Sequence, residues 1–309
     1  MCGIAGIIYR GGARPLGRDM TRMLQSMKHR GPDSTGYALF GTPAEGYVMR
    51  VTLADGDGEA DFESVERLRR HRRELSRRMQ VVGARVDDVR DSNEYALTMR
   101  FGYDGDLKRL TDYVEDISGV EVLSLGHSLE IVKDLGDAET VAADYGLAGF
   151  EGSHAIGHVR MATESDVDIA GAHPYWAYPF SDVAVVHNGQ LTNYFDWRRR
   201  LERSGHRFQS ECDSEIIAVY LAERMGAGDS LEEAMRRSLS ELDGVFTYMC
   251  VTRDALGVAK DELAAKPLVL YESDDLVAMA SEEIAIRAVL NREIETWDPY
   301  EGEVLVWQR

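Results

Sequence analysis

Cysteine is scarce in this 309-residue chain: Cys2, Cys212 and Cys250 are the only three, and they show neither an even disulfide framework nor a C-x-x-C metal pattern. Such usage suits a reducing compartment. The first thirty residues lack a basic region followed by an apolar stretch and a small-residue cleavage site, and no apolar run reaches the length of a bilayer. A cytoplasmic protein without a membrane partner is expected. Positive charge is also in deficit, with 35 Lys and Arg against 54 Asp and Glu and a formal charge of −19. That balance opposes nucleic-acid binding by bulk electrostatics and is read as a solubility device. His29, His71, His127, His154, His158, His187 and His206 show no metal-ligand spacing, so no metal is expected. No internal repeat or low-complexity tract is present.

What the chain does have is 44% hydrophobic content, enough for a sizeable core in one large or two ordinary domains. "CGIAGIIY" reads as a buried strand, "DMTRMLQSMKHRG" as a helix with Met20, Leu24 and Met27 on one face, and "TGYALFG" as a second strand. "GTPAEG" reads as a hairpin-like turn into "YVMRVTLA". Residues from about 52 to 149 differ in kind. An acidic linker leads to "ESVERLRRHRRELSRRM", where Val65, Leu68, Leu75 and Met79 recur among seven arginines. "EYALTMRFG", "DLKRLTDYVEDISG" and "VEVLSLG" then suggest strand, helix and strand. From residue 150 onward short strands return, with helices expected near 195–204, 213–225, 230–242 and 281–290. Ser230 with Glu233 forms a capping box, and Ser281 is read as a simple N-cap. Antiparallel sheets under helical layers are the expected architecture.

The cysteine behind the initiator methionine raises a chemical question. Once Met1 is removed, Cys2 carries a thiol and a free α-amino group on one carbon, a nucleophile with its own base. The reference pKa values, about 8.5 for a thiol and about 7.7–8.0 for an α-amine, make proton exchange between them nearly balanced. A small thiol beside a strand is equally a packing residue, and Cys2 alone does not decide.

Several separated motifs do. "MCGIAGI", "HRGPDSTG", "GHVRMAT", "AHP", "VVHNGQLTN" and "CDSE" together resemble the class II glutamine amidotransferases of the N-terminal-nucleophile (Ntn) hydrolase superfamily, over roughly residues 1–45 and 150–290. The resemblance implies an α+β fold, a four-layer α/β/β/α sandwich formed by residues 1–51 and 150–309; residues 52–149 lie outside it and are read from their own pattern as an inserted small α+β subdomain of assembly role. It implies that Cys2 attacks the side-chain amide of L-glutamine, expels ammonia and leaves a thioester for water. Asn188 and Gly189 of "HNG" would supply oxyanion donors. Arg160 would hold the substrate carboxylate through a bidentate fork and Asp213 its ammonium, though Asp213 also reads as a helix N-cap. Thr163 and His173 would be secondary substrate contacts. Arg30 would hold the N-terminal strand, in a structural or a catalytic capacity. Met161 departs from the aromatic residue often found beside the arginine of this loop. Cys212 and Cys250 are read as packing residues.

The chain carries no synthase extension, so the ammonia acceptor is expected on a partner, making a hetero-oligomer. The "GHVRMATES" to "HNGQLTNY" stretch resembles free-standing glutaminase subunits related to glutamate synthase, including those of N-methylglutamate synthase complexes. FMN, and as a further expectation an iron–sulfur cluster, would then sit on partner subunits. The arginine-rich helix reads as a solvated face or a docking surface, with RNA as a third reading. Two other functions stay open: a stand-alone amide hydrolase acting on another substrate, which would not need both Arg160 and Asp213, and a glutamine-sensing regulatory subunit.

Overall fold

In a computed structural model, residues 2–53, 62–161 and 169–309 are described. The first strand, β1 (Gly3–Tyr9), is buried along its whole length, as a run of glycine, alanine and isoleucine permits between two sheet neighbours. α1 (Leu16–Ser26) follows, with Leu16, Met20, Met23 and Leu24 buried at helical spacing against it. Next come β2 (Ser34–Phe40), β3 (Tyr47–Thr52), α2 (Phe62–Val81), β4 (Arg85–Asp91), β5 (Ala96–Gly102), α3 (Leu107–Glu115) and β6 (Glu121–Gly126). The chain continues through β7 (Leu129–Leu135), α4 (Ala138–Asp144), β8 (His154–Arg160), β9 (Tyr175–Trp176), β10 (Ala184–Leu191), α5 (Tyr194–Arg203), α6 (Asp213–Gly226) and α7 (Leu231–Glu241). It closes with β11 (Gly244–Val251), β12 (Ala255–Lys260), β13 (Val269–Glu272), β14 (Leu276–Ala280), α8 (Glu283–Arg287) and β15 (Val304–Gln308).

Two antiparallel sheets stack face to face. One has the order β13-β14-β1-β8-β2-β7, the other β15-β12-β11-β10-β9. Strand alternation sends Ile4 and Ile8 of β1 and Ile156 of β8 into the space between the sheets, where they meet Val186 of β10 and Met249 of β11. The opposite faces carry the helices: Ala5 and Ile7 pack with α1, α4 and α8, and Val185 and Tyr248 with α5, α6 and α7. The layers are therefore α/β/β/α. The capping box of Ser230 and Glu233 starts α7 as expected.

Strand pairing shifts both edges of the expected insertion. β3 leaves β2 and joins a separate four-stranded sheet, β4-β5-β3-β6, so "GTPAEG" is a passage between sheets and not a hairpin turn. β7, which the motif pattern left inside the insertion, pairs with β2 along all seven residues and completes the six-stranded sheet. The small unit thus runs from Tyr47 to Gly126, within which α2 and α3 cover the sheet. Its core is continuous with the sandwich: Met49, Leu75, Met99 and Val122 belong to the cluster that holds Ile4 and Phe40. β4 was not read from sequence because it is polar and almost wholly exposed, as befits a charged edge strand. The buried Asp182 carboxylate pins the junction, accepting the backbone N–H groups of His127, Ser128 and Leu129 at 2.8, 3.0 and 2.9 Å.

Gly36 in β2 shows how tightly the site's surroundings are packed. A Cβ there would lie 1.9 Å from the His173 carbonyl oxygen, so only glycine lets the segment at 173 cross this strand. Gly36→Ala is expected to destabilise the fold by about 1–3 kcal/mol through overpacking. Urea denaturation should show a lowered midpoint at constant slope; an unchanged midpoint would mean that the crossing segment shifts freely.

Candidate active site

The N-terminal strand is fastened at its first residues. The Cys2 carbonyl accepts from Arg30 Nε at 3.0 Å and from Asn188 Nδ2 at 3.3 Å, while the Met161 N–H lies 3.4 Å from Cys2 Sγ. Two residues along, the Ile4 N–H donates to Ser281 Oγ at 3.0 Å, and the Ser281 N–H returns a bond to the Ile4 carbonyl at 2.9 Å. Ser281 Oγ also lies 3.3 Å from Asn188 Nδ2. Ser281 is therefore not the N-cap that its sequence position suggested; Glu282 takes that place. Its hydroxyl ties the nucleophile's strand to the Asn188 amide.

Arg30 stands in the short turn Lys28–Arg30 and is itself held by Glu282, at 2.6 Å from Nη1 to Oε1. His29 reaches the other oxygen at 3.0 Å. Partial burial raises the Glu282 carboxyl, but the hydrogen bonds from Arg30 and His29 outweigh it and hold the group below the usual carboxylate range. Arg30 touches the backbone of Cys2 and not its thiol, which makes it a clamp on the strand.

Asn188 and Gly189 lie in β10, and strand alternation turns Asn188 toward the first sheet. Gly189 has φ +143°, and a Cβ there would fall 2.1 Å from the Val245 carbonyl oxygen, so the position admits only glycine. Arg160 ends β8, opposite the start of β1 and one residue before the amide that meets Cys2 Sγ; it is buried. Asp213 opens α6 beside β10, its Oδ2 accepting the Leu191 N–H at 2.8 Å. Its Oδ1 lies 3.6 Å from His187 Nδ1, and among the described residues that histidine is its only ion-pair partner. Burial pushes the His187 imidazole down, so this partner is neutral near pH 7, and the Asp213 charge rests on the helix N-terminus.

His173, expected as a secondary substrate contact, lies beside the start of α6. It is buried, its Nε2 is 2.6 Å from Ser214 Oγ, and its ring stacks on His158 at 4.1 Å. Ser214 Oγ also bonds His187 Nδ1 at 2.8 Å, so one hydroxyl joins two imidazoles directly beside Asp213. Thr163 lies outside the described residues. Cys212 caps α6 with its thiol 3.8 Å from Asp213 Oδ1, and burial followed by the Asp213 charge raises its pKa, which keeps it a thiol. Cys250 is wholly buried in β11. The sequence reading missed Ser281, Ser214 and Glu282. Ser281 and Glu282 carried only a helix-start signal, and Ser214 carried none beyond its adjacency to Asp213. Among the described residues no group of three or more His, Cys, Asp or Glu is placed to hold a metal, and no helix is long and apolar enough to cross a membrane.

A cysteine heading a central strand of an α/β/β/α sandwich, with an asparagine amide from the facing sheet beside it, is the arrangement expected of a class II glutamine amidotransferase. The fold is shared with the glutamine phosphoribosylpyrophosphate amidotransferase of B. subtilis, at a TM-score of 0.61 and 19% identity over 99% of this chain and 47% of that one. Residues 158–288 match the glutamine amidotransferase domain family. A protein of Methanothermobacter thermautotrophicus, provisionally named a glutamine amidotransferase, is 39% identical over the full length of both chains. The glutamine amidotransferase-like protein GlxB of Rhizobium meliloti is 36% identical over 99% of this chain and 98% of its own. An amidophosphoribosyltransferase of Staphylococcus aureus is 40% identical across 52% of this chain and 32% of its own. The chain belongs to the glutamine amidotransferase family.

Two outcomes follow from this geometry. Ser281→Ala removes the shared acceptor of Ile4 and Asn188 and is expected to lower glutamine turnover by about tenfold, a loss on the scale of one hydrogen bond to a reacting group. Ser281→Thr, which keeps the hydroxyl, should recover most of it; equal rates in all three proteins would contradict the role. The second outcome concerns acid. Burial depresses four histidines: His154 to about 4, His158 to about 3, His173 well below its ordinary value, and His187 in the same direction. The unfolded chain takes up these protons near pH 6.5 while the folded one does not, so stability is full above about pH 6.5 and is lost as pH falls toward the folded values. Each group contributes up to about 1.4 kcal/mol per pH unit within that window. Urea midpoints should fall from pH 7 to pH 5; a flat profile would mean that these histidines charge within the fold.

Proposed function

We propose that the protein is the glutaminase component of an amidotransferase assembly, hydrolysing L-glutamine to glutamate and ammonia through a Cys2 thioester and passing the ammonia to a synthase subunit. The observation that carries the reading is the convergence on Cys2: Asn188 Nδ2 at its carbonyl and the Met161 N–H at its thiol. With Met1 removed, the α-amine accepts the thiol proton and Sγ attacks the amide carbon of glutamine. The oxygen gains negative charge opposite Asn188 Nδ2 and the Gly189 N–H. The protonated amine then returns its proton to the departing nitrogen, the C–N bond breaks, and ammonia leaves. Water, deprotonated by the same amine, hydrolyses the thioester to glutamate.

Free glutamine is favoured over a peptide-bound or simple amide because both of its α-groups have a partner. Arg160 offers a guanidinium at the end of β8, and Asp213 offers a carboxylate whose only ion-pair partner among the described residues is a neutral imidazole. A stand-alone hydrolase of another amide would have no use for that pair, and a sensor would have no use for the oxyanion donors. The acceptor is proposed to be glutamate synthase-like, with N-methylglutamate synthesis as the particular case. Its FMN, and any iron–sulfur cluster, would belong to the partner; the three cysteines here stand apart, just before β1, at the start of α6 and within β11. The arginine-rich α2 is the proposed docking face. Arg69, Arg70, Arg73 and Arg77 are exposed along it, a basic strip on a chain of net charge −19.

Cys2→Ala is expected to abolish glutamine-dependent product formation by the assembled complex while ammonium salts, or an amine, still support it. Measuring both activities on one preparation separates the steps. Equal loss of the two would overturn the division of labour between the subunits.

A further inference from the structure

The small-sheet unit meets the segment leading to Asp213 through a charged seam. α3 faces the segment that joins α5 to α6, and two of its acids meet Arg207 there. Glu115 forms an ion pair with Arg207 Nη2 and accepts the Val122 N–H at 2.9 Å; its side chain is only 7% exposed. Asp112 Oδ1 lies 3.2 Å from Arg207 Nε and accepts the Tyr178 hydroxyl, and the Arg207 guanidinium covers the Tyr178 ring at 4.4 Å. Gln209 enters the same seam, its side-chain amide donating to Glu115 and, at 3.4 Å, to the Val122 carbonyl.

From Gln209 the restraint continues to the substrate residue. The N–H groups of Gln209 and Ser210 donate to the two Glu215 oxygens at 2.8 and 2.9 Å, and Ser210 Oγ donates to Glu215 at 2.7 Å. Ser210 Oγ in turn accepts the Cys212 N–H at 3.1 Å. The next residue is Asp213. Residues 205–212 contain no helix or strand, so these side-chain anchors, one set in α3 and one in α6, fix the path of the backbone into Asp213.

We propose that the small-sheet unit is a positioning element for the glutamine site: the Glu115–Arg207 pair sets the segment that presents Asp213, and so sets affinity for the substrate's α-ammonium. Arg207 and Glu115 are positioning residues, remote from the reacting atoms. Anything that moves α3, such as a subunit seated on the neighbouring α2, then changes glutamine affinity without touching Cys2; Arg78 of α2 already bonds the Tyr113 carbonyl of α3. The inference rests on the assignment of Asp213 to the α-ammonium.

The test uses the full chain. Glu115→Gln keeps the acceptor for Val122 and removes the charge that holds Arg207. It is expected to raise KM for glutamine roughly five- to tenfold, the scale of one charged hydrogen bond, while kcat changes less than about twofold. Alkylation of Cys2 by a diazo-ketone analogue of glutamine, which carries both α-groups, should slow in proportion, whereas alkylation by iodoacetamide should not. Amide hydrogen exchange should quicken at residues 207–213 and stay unchanged in β1. Arg207→Lys should lie between the variant and the parent. Unchanged exchange at 207–213, unchanged KM, or equal slowing with iodoacetamide each overturns the proposal. A parent protein that reacts with iodoacetamide but neither turns over glutamine nor reacts with its analogue would instead defeat the assignment of the substrate, and the inference with it.

Discussion

Everything at this site depends on holding a chain terminus still. The first residues of a domain ordinarily fray, because nothing precedes them to share the cost of ordering. In the proposed mechanism the nucleophile's base is the α-amine of the same residue, so the reacting group cannot be placed inside an element; it must be the end of one. The fold meets that constraint by making β1 a central strand, with β14 on one side and β8 on the other. Backbone pairing alone stops at Gly3. Side chains extend it: Arg30 and Asn188 reach the Cys2 carbonyl, and Ser281 takes the Ile4 N–H. These groups arrive from the turn after α1, from the facing sheet and from the start of α8, so three layers must be correctly packed before the thiol has a defined position.

That requirement accounts for the polar groups buried between the sheets. The strand alternation that points Ile4 and Ile156 inward also points His158 and Arg160 inward, because residues of one face share an environment whatever their chemistry. An imidazole tolerates this by staying neutral, with burial as the leading cause for His158, His173 and His187 alike. Arg160 stays charged and sits at the end of β8, the position from which it is proposed to meet the substrate carboxylate. The same face thus grades from apolar to neutral-polar to charged along a single strand, from Ile156 through His158 to Arg160.

Much of the sandwich was legible because its strands and helices obey local rules. β1, α1, α6 and α7 follow from hydrophobic spacing and caps, and the ordered motifs point to Cys2, Asn188, Gly189, Arg160 and Asp213 as the candidate site residues. What escaped was non-local. β7 looked like part of the insertion because no motif marks it, yet its seven pairs with β2 place it in the main sheet. β3 follows β2 so closely that a hairpin was the natural expectation, and only tertiary pairing sends it into another sheet. Ser281 carries a helix-start signal that is locally sound, and its hydroxyl is instead taken by two groups far away in sequence, Ile4 and Asn188. A serine's choice between a cap and a distant donor cannot be read from its neighbours, because both uses demand the same residue type.

The electrostatics of Asp213 connect the fold to substrate choice. One oxygen is committed to the Leu191 N–H, which fixes the carboxylate against the strand that carries Asn188 and Gly189. The other faces His187 and Ser214, two groups able to orient a charge but not to neutralise it near pH 7. A carboxylate held this way is supported by a helix N-terminus and, among the described residues, has only a neutral imidazole beside it, so on the proposed assignment its field is completed by a cation from outside. An ammonium supplies that cation at lower cost than it would in water-exposed surroundings, where screening weakens the pair. The backbone path into Asp213 is fixed by the α5–α6 segment, and that segment is held in turn by α3. On the proposed assignment, substrate selectivity is therefore a property of a backbone path shared by the sandwich and the small sheet, and not of the aspartate alone.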